Sequence, residues 1–205
     1  MHLPLLDHLV YATADLEATV AEFAGATGVA PVAGGRHDGR GTRNYLVALG
    51  PTSYLEIIGP DVERPAEPEA MPFRVGELDG PRLITWAVHP PDLEAAVAAA
   101  GIDLGPIQPM SRTTPAGELL SWRLTVADPE PYDGIVPFLI DWGDTTHPAA
   151  SGLPSVELLE FAATHPQPAE VNAVLDALGL DLPVTQGEAA LTATVSGPAG
   201  TYQLR

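Results

Sequence analysis

The residues of this 205-residue chain whose types and positions point to chemistry carry imidazole, carboxylate, guanidinium, indole and amide groups, and cysteine is absent. That absence removes disulfides, thiol nucleophiles and zinc–thiolate sites together. The six histidines are unequally placed. His8 lies inside an apolar run from Leu6 to Ala12, whereas His89 stands at the end of another run, beside Pro90 and Pro91, and reads as a turn residue. His37, His147 and His165 fall in loop-like stretches and read as solvated, and His2 is too close to the terminus to assign. Among the carboxylates, Glu56 interrupts the apolar run Tyr54-Leu55-Glu56-Ile57-Ile58. Arg112 and Arg123 offer planar forks for a substrate carboxylate, with a surface salt bridge as the plainer use. Trp86, Trp122 and Trp142 suit the aromatic wall of a mostly apolar pocket, although core packing is the better reading for at least two of them. Asn44 stands in a strand-like run and could orient Glu56 by hydrogen bonding, so Asn44, Trp86, Arg112 and Trp122 are the candidate substrate contacts.

The elements that must position these residues repeat. The opening Leu6-Asp7-His8-Leu9-Val10, followed by Asp15-Leu16-Glu17, returns as Leu83-Ile84-Thr85-Trp86-Ala87 followed by Asp92-Leu93-Glu94. Each copy runs from an apolar strand through a capping residue, Thr13 or Asp15 in the first, into an alanine-rich helical pattern. In the first copy Leu16, Val20 and Phe23 share one helix face, and Gly25 and Gly28 supply stop signals. Strands then follow over Asn44 to Leu49 and Ser53 to Ile58, with room for another near Val29 to Val32. In the second copy they follow over Leu119 to Val126 and Ile135 to Trp142. The Gly34–Gly41 segment does not lead from a strand into a helix start, so it reads as a flexible connector or lid and not as a phosphate loop. A shorter third copy has a strand from Val156 to Ala162, a helix carrying Val171, Val174, Leu175 and Leu178, and strands at Ala190 to Val195 and Thr201 to Leu204. Residues 1–60 make a first unit, 61–81 a proline-rich linker or surface loop, 82–150 a second unit, and 151–205 a truncated third unit packed on the same domain.

Composition narrows the partners. The net charge of −18 argues against nucleic acid, because phosphate contacts need a basic face. The sequence shows no signal peptide and no transmembrane run. A soluble, cytoplasmic protein with no membrane partner is expected.

The paired strand–helix–strand–strand–strand units, with the Leu6–Val10 opening, Asp15-Leu16-Glu17, Phe23, and the closing Tyr54–Ile58 run, resemble the vicinal oxygen chelate superfamily. The Pro137–Trp142 strand and the third partial unit bring the resemblance closer to its glyoxalase-like domain subgroup. The resemblance implies an α+β fold: tandem βαβββ units forming curled mixed sheets, helices outside, and a truncated third βαβ-type unit. It places His8 and Glu56 on a shared concave face, where they could hold one divalent cation (Zn, Ni, Mn or Fe). Glu56 would ligate the ion or act as a general base. The expected activity is a metal-dependent lyase or isomerase acting on a small carbonyl or vicinal-oxygen compound. A metal-free protein that binds or sequesters a small molecule in the same pocket is the alternative. The second unit weakens the metal reading, because Thr85 stands where His8 does and Ile140 where Glu56 does, unless a one-residue bulge turns Asp141 inward. Units of this type associate in pairs, and the sheet edge of the truncated copy needs cover, so a homodimer is expected.

Overall fold

The computed structural model describes residues 3–205, which leaves His2 outside the described residues. The first unit comprises β1 (Leu6–Ala12), α1 (Leu16–Thr27), β2 (Val32–His37), β3 (Thr42–Ala48) and β4 (Tyr54–Pro60). The second comprises β5 (Arg82–Val88), α2 (Leu93–Ala99), β6 (Ile107–Thr113), β7 (Leu119–Thr125) and β8 (Phe138–Asp141). The chain continues through β9 (Glu157–His165), α3 (Pro168–Ala177), β10 (Val184–Gln186), β11 (Ala190–Gly197) and β12 (Gly200–Leu204).

Both units order their strands alike, β1-β4-β3-β2 and β5-β8-β7-β6. They meet along two antiparallel seams, β1 with β5 and β2 with β6. The two curled sheets thereby close into one eight-stranded barrel. β1 is buried on both faces, which is why its sequence is a continuous apolar run instead of an alternation. Its outward residues Leu9 and Tyr11 join the main core, together with Trp86 of β5, Phe23 of α1, Leu93 of α2, Val171 of α3 and Phe161 of β9. Each fully buried large apolar side chain contributes about 2 kcal/mol, and this core anchors the helices outside the barrel. The last segment lies on the same outer face as a separate sheet ordered β10-β9-β11-β12. β9 and β10 run parallel on either side of α3 as a βαβ unit.

The recurring Asp-Leu-Glu triplet has a specific cause. Asp15 accepts a hydrogen bond from the Ala18 amide at 3.1 Å, and Asp92 accepts one from the Ala95 amide at 2.9 Å. Each aspartate thus satisfies an orphan donor of its helix. Gly28 closes α1 in the left-handed conformation (φ 74°).

Four segments differ from the sequence expectation. β2 does not end at Val32 but begins there, so it takes in the first half of the glycine-rich connector. β6, which carries Pro109, and β10, a short strand beyond α3, are strands additional to those expected. Segment 61–81 does more than connect: Met71 and Val75 are buried against Val10, Ala12 and Ile58.

Replacing either cap, Asp15→Ala or Asp92→Ala, is expected to lower stability by about 1 kcal/mol, with the double variant additive, as read by urea unfolding.

Candidate functional site

The barrel interior opens into a wide cleft that continues past the strands, with a combined volume of about 1710 Å³, larger than the roughly 300–1,000 Å³ usual for small-ligand sites. Alternation along the strands sets its lining. Polar groups gather on one side: His8 from β1, His37 from β2, Asn44 from β3, Tyr54 and Glu56 from β4, and Arg112 from β6. Besides Arg112, the second unit contributes Trp122, Phe138, Ile140 and Trp142 together with the hydroxyl residues Thr85, Ser121 and Thr125.

Glu56 is held by its neighbour strand. In the β3–β4 register Leu46 stands opposite Glu56 and Asn44 opposite Ile58, so Asn44 is the diagonal neighbour on the same face. Its Nδ2 donates to Glu56 Oε1 at 2.6 Å. That leaves Oε2 facing His8 Nε2 at 3.8 Å, while His37 Nε2 lies 3.6 Å from Oε1. Burial holds His37 below its ordinary value of 6.5; the charge of Glu56 opposes this and that of Arg112 reinforces it.

His8 is oriented from behind by Asp7. Strict alternation would send these adjacent side chains to opposite faces, but the β1–β5 register shifts between Leu6 and His8. The irregularity re-aims Asp7. Its Oδ1 lies 2.6 Å from His8 Nδ1, and its Oδ2 accepts from Trp142 Nε1 at 2.9 Å and from His147 Nε2 at 3.1 Å. His147 Nδ1 accepts from the Ala149 amide, which requires that its proton sit on Nε2. Burial alone would raise the Asp7 pKa, but the hydrogen bonds from His147 and His8 outweigh it and hold the group well below the ordinary carboxylate range. An ionised carboxylate only accepts. His8 Nδ1 therefore carries the proton, and Nε2 turns to the cavity. The ring stacks on Tyr54 (centroids 4.7 Å apart, 17° between planes). Burial, then the charges of Asp7 and Glu56, push the Tyr54 phenol well above its ordinary value.

The structure brings His8, Glu56, Asn44, Arg112 and Trp122 to one cavity and places Trp86 elsewhere. Trp86 points outward into the core, donates to the Ile135 carbonyl at 2.9 Å and packs edge-on against Phe161. Neighbouring Thr85 faces the cavity, so alternation along β5 forbids Trp86 from doing so. No bulge turns Asp141 inward: Arg123 bridges it to Glu94 at the surface, and Ile140 lines the cavity. Arg123 is therefore a surface salt-bridge residue. Asp7, His37, His147 and Tyr54 belong to the site although nothing in the sequence singled them out. His165 is also buried and not solvated; its Nδ1 accepts from the Gln167 amide. Among the described residues no group of three or more His, Asp or Glu side chains gathers as a cation site.

The glyoxalase-like domain family matches residues 6–179. The chain belongs to that family. Its fold is similar to that of a hypothetical protein from Staphylococcus aureus, with 13% identity over 98% of this chain and 85% of that chain, at a TM-score of 0.65. A variant of 4-hydroxymandelate synthase from Streptomyces coelicolor aligns with 15% identity over 100% of this chain and 63% of that one, at a TM-score of 0.50. Methylmalonyl-CoA epimerase from Mycobacterium tuberculosis aligns with 19% identity over 67% of this chain and 86% of that one, at a TM-score of 0.41. A comparison with curated proteins finds no match. Two units closed around a central cavity make this glyoxalase-like domain a vicinal oxygen chelate fold. Among its described residues no helix is long and apolar enough to cross a membrane.

The Asp7 cluster makes a pH-dependent contribution to stability. Because the folded pKa lies below the ordinary value of 3.8, the contribution is present above that pH and is lost as pH falls through and below it. Asp7→Asn removes the charge that three donors face and is expected to cost about 3 kcal/mol. Unfolding titrations across the acid range should show a shallower decline in the variant than in the parent.

Proposed function

We propose that this glyoxalase-like domain is an enzyme that moves a proton at carbon beside a carbonyl, an isomerase or lyase acting on a small carbonyl or vicinal-oxygen compound. The supporting observation is the facing pair His8 Nε2 and Glu56 Oε2, 3.8 Å apart, each held from behind and both open to the cavity. Glu56, its Oε1 held by Asn44, is the base, and Oε2 takes the proton from carbon. His8 faces the substrate oxygen; as an imidazolium it donates to that oxygen as negative charge develops there, and the Asp7 carboxylate orients the ring and balances its charge. Return of the proton to the same or an adjacent carbon gives an isomer, and departure of a group from that adjacent carbon gives a lyase reaction. Trp122, whose buried Nε1 has no partner, and Asn44 serve as substrate contacts.

His8 Nε2 and Glu56 Oε2 are also one nitrogen and one oxygen donor of the kind that a zinc, nickel, manganese or ferrous ion accepts. Thr85 and Ile140 add none from the second unit, so substrate and water would complete the shell. A bound cation would supply positive charge against the developing oxyanion.

Exchange of the acidic carbon-bound hydrogen into deuterated water, followed by NMR across a panel of keto and hydroxy carbonyl compounds, tests the reading. Glu56→Gln is expected to slow exchange about 100-fold or more, with ligand binding retained. A compound that binds without any exchange would instead support the alternative, a protein that binds or sequesters a small molecule. Thermal shifts with each of the four ions, in the parent and in His8→Ala, decide the cation question: a shift that His8→Ala abolishes assigns the ion to this pair.

A further inference from the structure

We infer that the substrate carries a carboxylate and that Arg112 grips it; this rests on the proton-transfer reading above and names the substrate class of that site. Arg112 lies on β6 at the second barrel seam, directly across from His37 of β2. It is 4% exposed, yet its guanidinium makes a single hydrogen bond, from Nη1 to the Gly34 carbonyl. Among the described residues no carboxylate comes within salt-bridge distance of it. The more exposed Arg36, Arg43, Arg74 and Arg123 each pair with a carboxylate. In a chain with 27 acidic residues against nine basic ones, this buried arginine has no carboxylate partner among the described residues. Its remaining N–H groups border the cavity, and a fork with free N–H groups is complementary to a carboxylate that accepts two parallel hydrogen bonds.

The backbone is shaped around this group. A Cβ at Gly35, where φ is 150°, would lie 3.1 Å from Arg112 Nη1 and 2.4 Å from the Thr113 carbonyl oxygen. The cavity sets the rest of the ligand. Glu56 repels a second negative charge near the reactive pair, so the anion is a monoanion seated on the Arg112 side, with its carbonyl turned to His8. Trp122 and Trp142, 5.1 Å apart, and Phe138 wall the space left for an apolar body. The substrate class is therefore an aryl- or alkyl-substituted keto acid.

Phenylpyruvate, its uncharged methyl ester and benzylphosphonate are the probes, and quenching of the cavity tryptophans together with thermal shift are the readouts. Phenylpyruvate is expected to bind at least about tenfold more tightly than the ester, and Arg112→Lys to weaken it about tenfold because the fork is lost. Arg112→Met should abolish the preference for the acid over the ester while leaving the melting temperature of the unliganded protein equal or higher, since it removes an unpaired buried charge. Equal binding of acid and ester, tighter binding of the phosphonate than of the acid, or a lowered melting temperature in Arg112→Met with the acid preference intact, would overturn the assignment. Glu56→Gln separates the two readings. Acid-selective binding that survives in Glu56→Gln, without hydrogen exchange in the parent, keeps the Arg112 subsite and discards the catalytic reading. Exchange that depends on Glu56 but not on Arg112 does the reverse.

Discussion

A buried aspartate that accepts three hydrogen bonds organises the rest of this molecule. Asp7 belongs to the first strand, but two of its three donors, Trp142 and His147, come from the end of the second unit and the loop beyond it. One ionised group thus ties the two halves together beside the seam where β1 meets β5. It also fixes which nitrogen of His8 reaches the cavity. Taking a carboxylate out of water is unfavourable unless its lone pairs are filled, and here donors from distant parts of the chain fill them. Closure of the barrel and orientation of the reactive imidazole therefore have one physical origin.

Duplication supplies the scaffold, and divergence within it supplies the chemistry. The two units share strand order, capped helix and seam geometry. Their inward residues differ: His8, Asn44 and Glu56 on one side, Thr85, Phe138 and Ile140 on the other. A symmetric pair of half-sites would have put four donors around the axis. This chain has instead its His8–Glu56–Asn44 group on the first unit and Trp122, Phe138, Ile140 and Trp142 beside Arg112 and several hydroxyl residues on the second, an arrangement suited to holding the body of a ligand while one end reacts. The third segment covers the outer face of β1 and β5, so β1 is buried on both sides and its inward side chains stand on a rigid strand.

Much of the scaffold could be read from residue order, because the signals were local. An aspartate before each helix, apolar runs of strand length and glycine after α1 each act within a few residues. β2, β6 and β10 escaped for the same reason in reverse. β2 carries Gly34 and Gly35, β6 carries Pro109, and β10 is only three residues long, so pairing with neighbours outweighs weak intrinsic preference. The linker residues Met71 and Val75 looked like part of a polar loop because their apolar partners lie on β1 and β4.

The candidate site divides along the same line. Period and residue type establish the two-unit architecture and the non-ligating Thr85 and Ile140 from residue order, whereas the inward position of His8 and Glu56 on neighbouring strands comes only from the resemblance to the vicinal oxygen chelate superfamily. Barrel closure alone sets that Asp7 turns toward His8, that His37 and His147 leave solvent for the site, that Trp86 packs outward, and that Arg112 is buried without a carboxylate partner. Each of these depends on a register shift or on a partner many residues away. Side-chain alternation is a property of one strand, whereas a bulge, a seam and the hydrogen bonds across them exist only once the barrel has closed.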